Sequence, residues 1–188
     1  MALSFHPVTP ERVGDLERFS ECHGKFRYCS CMRWRLSSTD FKRSTKDDRV
    51  AALSGLARAG IPVGVLAYLD GVPVGWCSIA PRETLVALGR AKALAPIDAA
   101  PVWSVVCFFV DRRARRAGLT RGLLRAAVAY ARARGARIVE GYPVDPGRTY
   151  GYMGSPATFR AAGFRDVTPP GRERRVFRRR LPVARKSS

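Results

Sequence analysis

Between Val102 and Gly135 the sequence VWSVVCFFVDRRARRAGLTRGLLRAAVAYARARG passes from one structural period to another. Val102, Val105, Val106, Phe108, Phe109 and Val110 form a β-branched and aromatic run too apolar for an exposed strand, which predicts a central strand buried on both faces. An arginine-rich turn follows. Leu119, Leu123, Leu124, Ala127, Val128 and Ala131 then recur at helical spacing, and Gly135 stands where a left-handed C-terminal cap belongs. The core of the fold is therefore strand, basic turn, helix.

The first backbone N–H groups of a helix have no internal partner and point, with the positive end of the dipole, at whatever precedes them. Gly118 permits close approach of the backbone there, and Arg112, Arg113, Arg115, Arg116 and Arg121 surround it with positive charge, an environment suited to a pyrophosphate. A solvated basic turn leading into an ordinary surface helix is the competing interpretation, and one glycine in a strand-turn-helix does not separate the two.

A chain of 188 residues, 46% hydrophobic, suits one domain with a proper core and is expected to form a single domain over 1–188, with a disordered tail from about 183. No apolar run reaches membrane-spanning length, and the first residues lack the basic and apolar regions of a signal peptide, so the expected location is cytoplasmic with no membrane partner. Of the 34 basic residues behind the net charge of +19, 29 are arginine. A GC-rich coding bias accounts for that ratio, so the charge marks attraction to anions, with weak non-specific nucleic-acid contact, rather than a nucleic-acid-binding function. The expected assembly is a monomer or homodimer.

Val13, Leu16 and Phe19 predict a short amphipathic helix over Pro10 to about Ser20, and Thr45 with Asp48 has capping-box spacing at the start of a helix running to Gly60. Val63–Leu69 and Pro73–Ile79 flank Asp70-Gly71, the signature of a tight β-hairpin. A loop with a short helix is expected over Pro81–Pro101. Beyond the long helix, residues 137–144 predict a parallel strand joined right-handedly. Ser155-Pro156 opens a closing helix, and Arg174–Leu181 reads as an edge strand whose arginines deter further pairing. The pattern reads as an α/β (mixed α+β) fold.

Cys22, His23, Cys29 and Cys31 lie within ten residues, but the C-x-C pair lacks the spacing of a zinc knuckle and no second ligand pair follows, so no metal is expected. Five cysteines in a chain without an export signal are expected to be reduced. Cys107, inside an apolar strand, is expected to have a raised pKa and to be inert.

Arg115-Arg116-Ala117-Gly118-Leu119-Thr120 resembles the Q/R-x-x-G-x-G/A signature of the GNAT superfamily of acyl-CoA N-acyltransferases, at the spacing from Val110 usual there. The hairpin before it, the strand after it and Ser155–Phe164 are similar to the family's other elements in order. Cys29-Ser30-Cys31-Met32-Arg33-Trp34 also looks like a segment of one subgroup. The resemblance implies a GNAT-like mixed sheet of six or seven strands with about four helices, and acetyl-CoA as co-substrate. The pantetheine arm would lie along Phe108, Phe109 and Val110, with an oxyanion donor near Phe109 or Val110. The diphosphate would sit on Arg115, Arg116, Ala117, Gly118, Leu119, Thr120 and Arg121. It further implies attack by a primary amine in a ternary complex, with Tyr28, Trp34 and Trp76 as candidate acceptor contacts.

The sequence departs from the family at three places. Thr120 stands where Gly or Ala is usual, Ser104 where many relatives have a glutamate base, and Phe159 where the tyrosine acid stands. Candidate substitutes for the proton chemistry are Glu83, Glu140, Tyr150 and Tyr152, with Ser104 ordering water. For Glu140, pairing with an arginine is the competing reading, and for Tyr152, packing of its ring. Two other functions stay open at this point: a non-catalytic RNA- or ribosome-binding module using Arg172 to Arg180, and an acetyltransferase of protein lysines or N-termini.

Overall fold

The computed structural model describes residues 2–114, 118–145, 147 and 151–182. Among them are seven strands and seven α-helices. The strands are β1 (Leu3–Pro7), β2 (Gly64–Leu69), β3 (Val72–Pro81), β4 (Trp103–Val110), β5 (Ile138–Gly141), β6 (Arg165–Asp166) and β7 (Phe177–Arg180). They form one sheet in the order β1-β2-β3-β4-β5-β7-β6, antiparallel at every junction except the parallel pair β4/β5. The helices are α1 (Val13–Cys22), α2 (Gly24–Cys29), α3 (Ser38–Arg43), α4 (Lys46–Arg58), α5 (Val86–Arg90), α6 (Leu119–Ala133) and α7 (Pro156–Ala161). The excess over four comes from one-turn pieces: α2, α3 and α5 are too short to stand without the sheet beneath them.

Local chemistry explains the junctions. Asp70 and Gly71 both have positive φ, as a two-residue turn matching the sheet's twist requires. Thr45 and Asp48 form the expected capping box on α4, and Ser155 Oγ accepts from the Thr158 N–H at the start of α7. Helices α6 and α7 cover one face through Leu123, Leu124, Ala127 and Phe159. On the other face α1, α2 and α4 pack Leu16, Phe19, Phe26 and Leu53 against Leu66 and Trp76.

Strand β7 is not an edge. It lies between β5 and the two-residue β6, and Arg178, 8% exposed, turns inward to Glu140 and Asp98. An inward carboxylate, rather than deterrence of outside strands, accounts for arginine there. Strand β5 is also shorter than residues 137–144.

Its register with β4 holds for three pairs, Trp103↔Val139, Ser104↔Glu140 and Val105↔Gly141, after which, among the described residues, no strand pairs with β4 on that side as it runs on to Val110. The Phe159 ring fills the space over Gly141: a Cβ there would fall 2.1 Å from Phe159 Cε1. Gly141→Ala is therefore expected to cost about 1–3 kcal/mol through overpacking, read as a lower urea midpoint. Gly89, with nothing within 4 Å of its Cβ position, is the control. Equal stability of Gly141→Ala and the native chain would refute the wedge.

Candidate active site

Strand β4 carries a bulge at Val106, between the pairs Ser78↔Cys107 and Ile79↔Val105. The extra residue shifts the alternation, so Phe108 and Val110 face α6 while Cys107 and Phe109 face α2. Asp111 donates its N–H to the Val74 carbonyl of β3. By the two-residue alternation of an antiparallel ladder, Phe109 also bonds toward β3, and the N–H and C=O of Phe108 and Val110 point to the opposite side, where β5 has departed. An unpaired strand edge thus lines a cleft, and the backbone of Phe109 is not part of it.

That cleft, about 710 Å³, is bounded by Phe108 and Val110, by Gly118, Leu119, Thr120 and Arg121 at the start of α6, and by Ala157, Thr158 and Ala161 of α7. Gly118 is the N-cap residue with φ 68° and no side-chain cap, and a Cβ on it would meet nothing within 4 Å. The first amides of a fifteen-residue helix therefore open on the cleft, with Arg121 beside them. Thr120 lines it too. Arg115, Arg116, Ala117 and Tyr150 lie outside the described residues.

A second cavity, about 390 Å³, lies across β4. Lys25, Phe26, Tyr28, Cys29, Cys31, Arg33, Trp34, Phe41, Cys107, Phe108, Phe109 and Tyr152 line it. The two cavities share Phe108. Of the sequence-predicted residues, Tyr28, Trp34 and Tyr152 come together here. Trp76 does not, because it is fully buried in the core beneath α2, with its Nε1 donating to Cys31 Sγ at 3.0 Å.

The other candidates for proton transfer lie elsewhere. Glu83 is exposed after β3 and lines neither cavity. Glu140, 1% exposed, receives Arg178 Nε at 2.6 Å, Arg82 Nη1 at 3.2 Å and the Tyr142 hydroxyl at 2.6 Å. Ser104 is buried with its Oγ 2.9 Å from that hydroxyl. Burial, then the Glu140 charge, pushes the Tyr142 phenol far up. Glu140 is thus paired with two arginines, Arg82 and Arg178, and lines neither cavity. Glu140→Ala is expected to cost about 3–5 kcal/mol by stranding buried positive charge, measured by urea unfolding. A loss under about 1 kcal/mol, the range of an exposed pair, would contradict that role.

Near the second cavity lies a buried cation that the sequence reading missed. Arg35 is buried, and its Nη2 donates to the carbonyls of Pro62 and Val63 at 3.3 Å each. Its Nε and Nη1 have no hydrogen-bond partner among the described residues. The charge facing it is Cys31. Burial opposes ionisation of Cys31, but hydrogen bonds from Cys107, Trp76 and Ser78, together with the Arg35 charge, outweigh it and hold the thiol below its ordinary range. Burial brings Arg35 down to about 10, still cationic at neutral pH.

The neighbouring thiols move the other way. Burial, then the Cys31 charge, pushes Cys29 up to about 11. The Cys31 hydrogen bond, then burial, raises Cys107 well above a free thiol. All five cysteines are free. Among the described residues no group of three or more His, Cys, Asp or Glu is placed to hold a metal.

These shifts have a sign in stability. A thiol raised on folding contributes fully below its unfolded value, roughly 8.5, and the contribution is lost as pH rises through the folded value. Urea midpoints of the native chain should fall from pH about 8.5 upward, and Cys29→Ser should lessen the fall. Cys31, lowered on folding, should develop its thiolate ultraviolet absorbance at a lower pH than a free thiol, and Cys31→Ser should remove that part of the titration. A flat alkaline profile, or no such early thiolate signal, would contradict the assignment.

The C-terminal arginines are largely engaged within the fold. Arg172 donates to the Ala95 carbonyl, Arg175 pairs with Asp145 and Asp166, Arg178 with Asp98 and Glu140, and Arg179 donates to the Ala162 carbonyl.

Residues 28–146 match the model of the Acetyltransferase (GNAT) family. No curated protein matches the chain. Among solved structures, it is similar to a polyamine N-acetyltransferase of Drosophila melanogaster that forms N-acetylagmatine, at TM-score 0.59 and 14% identity, covering 96% of this chain and 100% of that one. It is also similar to PaiA N-acetyltransferase of Thermoplasma acidophilum in complex with coenzyme A, at TM-score 0.55 and 11% identity over 96% and 100% of the two chains. A third, yncA of Salmonella typhimurium with acetyl-CoA, aligns at TM-score 0.54 and 15% identity over 100% and 98%.

Proposed function

The chain belongs to the Acetyltransferase (GNAT) family, and on that premise we propose that it transfers an acetyl group from acetyl-CoA to a primary amine of a small molecule, by direct attack in a ternary complex. One observation carries the proposal: two cavities of different character abut on Phe108, at the unpaired edge of β4.

The cleft between α6 and α7 takes the donor. The amides of Leu119 and Thr120, with Arg121 beside them, receive the diphosphate. Arg115, Arg116 and Ala117 belong to the same seat by the motif. The edge of β4 offers the N–H and C=O of Phe108 and Val110 to the amide groups of the pantetheine arm. An N–H of that edge also donates to the thioester carbonyl, an interaction worth about 3–4 kcal/mol where an oxyanion develops. The acceptor enters from the aromatic cavity, so both reactants are held at one point of the strand.

Proton transfer falls to groups of the aromatic cavity, where, of the proposed acids and bases among the described residues, Tyr152 lies. The inward engagement of the C-terminal arginines weighs against the RNA-binding alternative.

Acetyl-CoA at about a hundredfold excess over its Kd should stabilise the protein by about 2.7 kcal/mol, raising Tm by about 5–10 °C. Ala157 is exposed on the wall of the cleft. Ala157→Trp should fill the cleft and abolish the rise while leaving the unliganded Tm nearly unchanged. No rise for the native chain at millimolar acetyl-CoA would refute the proposal.

A further inference from the structure

The aromatic cavity contains no carboxylate. All 15 acidic residues of the sequence are among the described residues, and none lines it. Those on α3 and α4 are engaged elsewhere, Asp40 with Ser37, Asp47 with Arg27 and Asp48 with Thr45. The charged side chains on the cavity wall are Lys25 and Arg33, both exposed and therefore at its mouth. The rest of the lining is rings and thiols.

Aromatic walls alone would also suit a polycation, since ammonium groups bind ring faces. Here two of the rings, Phe41 and Tyr28, already lie under guanidinium groups. Arg49 lies over Phe41 at 4.4 Å and over Tyr28 at 5.3 Å, and Arg33 lies over Phe41 at 5.7 Å. A polyamine would enter past two like charges, find guanidinium groups on two of the rings, and meet no carboxylate to pair with. The same arrangement suits a flat apolar body carrying a negative group, whose ring packs among the walls while the anion pairs at the mouth. A volume of about 390 Å³ lies in the range of small-molecule sites, roughly 300–1,000 Å³.

We infer that the acceptor is an aromatic α-amino acid, its ring among Phe26, Phe109 and Trp34, its carboxylate on Lys25 or Arg33, and its amine toward the β4 edge at Phe108. This rests on the acetyl-transfer reading. In the step, the neutral amine nitrogen forms a bond to the thioester carbonyl carbon and the C–S bond breaks. The amine loses a proton and the departing thiolate gains one, giving an N-acetyl amino acid and free coenzyme A.

The test is thiol release from acetyl-CoA by the full chain with phenylalanine and tryptophan, with phenethylamine and tryptamine, which lack the carboxylate, and with spermidine and agmatine. The two amino acids should exceed all four amines in kcat/KM by about tenfold or more, the value of one charge-assisted hydrogen bond. Lys25→Gln with Arg33→Gln should raise KM for the amino acids by a similar factor and should not raise that for phenethylamine, which loses two like charges at the mouth. Preference for spermidine or agmatine, parity between the amino acids and their decarboxylated counterparts, or an equal effect of the double variant on both would overturn the inference. The acetyl-CoA melting shift is measured alongside. A shift without turnover of the amino acids overturns the acceptor class and leaves acetyl transfer standing, whereas no shift overturns both.

Discussion

The parting of β4 from β5 is the constraint on which the site depends. Two parallel strands that stayed paired would satisfy each other's backbone groups and leave nothing for a ligand. Here a fully buried phenylalanine ring sits where a side chain on Gly141 would be, and the pairing stops at that residue. Phe159 is held in place by edge-on contacts with Phe108, Phe164 and Phe177. The free edge is therefore a consequence of packing, and a buried ring is a more durable spacer than a loop. Exposed N–H groups two residues apart are then available without any local unfolding.

The bulge at Val106 gives that edge two different surroundings. Without it, Cys107 and Phe109 would continue on the α6 face set by Val105, and Phe108 would turn toward α2. With it, Phe108 and Val110 border the cleft at the helix N-terminus, while Cys107 and Phe109 become part of the aromatic cavity. One strand thus serves a polar, cationic cleft on one side and an apolar cavity on the other. The cleft suits a phosphorylated, extended molecule, and the cavity suits a compact apolar one.

The order of elements, the hairpin, the central strand, the long helix and the caps of α4 and α7 were legible because each rests on local chemistry: turn residues, periodicity and capping spacing. Strand β1 was not, since five residues ending in His6-Pro7 show little alternation and acquire strand geometry only by pairing with β2. The glycine at the start of α6 was legible too, because a left-handed N-cap residue next to a long helix has few alternatives. The aromatic cavity was half legible. Tyr28 and Trp34 stood out by type, but Phe41 and Arg49 enter from helices whose placement over α2 depends on long-range packing. Trp76 was misplaced because a large ring reads equally well as core or contact, and only burial decides between them.

Arginine was the hardest residue to read, because its abundance suggested either coding bias or an anionic partner. Several of these side chains instead do structural work in the interior. Arg82 and Arg178 neutralise Glu140, Arg49 reaches back to the carbonyls of Thr45, Ser44 and Tyr28, and Arg35 faces the Cys31 sulfur. A buried guanidinium is tolerable only with an anion or a full set of acceptors, because its desolvation otherwise exceeds what packing returns. The consequence reaches the chemistry. Glu140 pairs with two arginines and the Ser104 hydroxyl lies against that of Tyr142, so these two side chains face the interior. The titratable side chains that line the aromatic cavity include Tyr152 and the thiols of Cys29, Cys31 and Cys107.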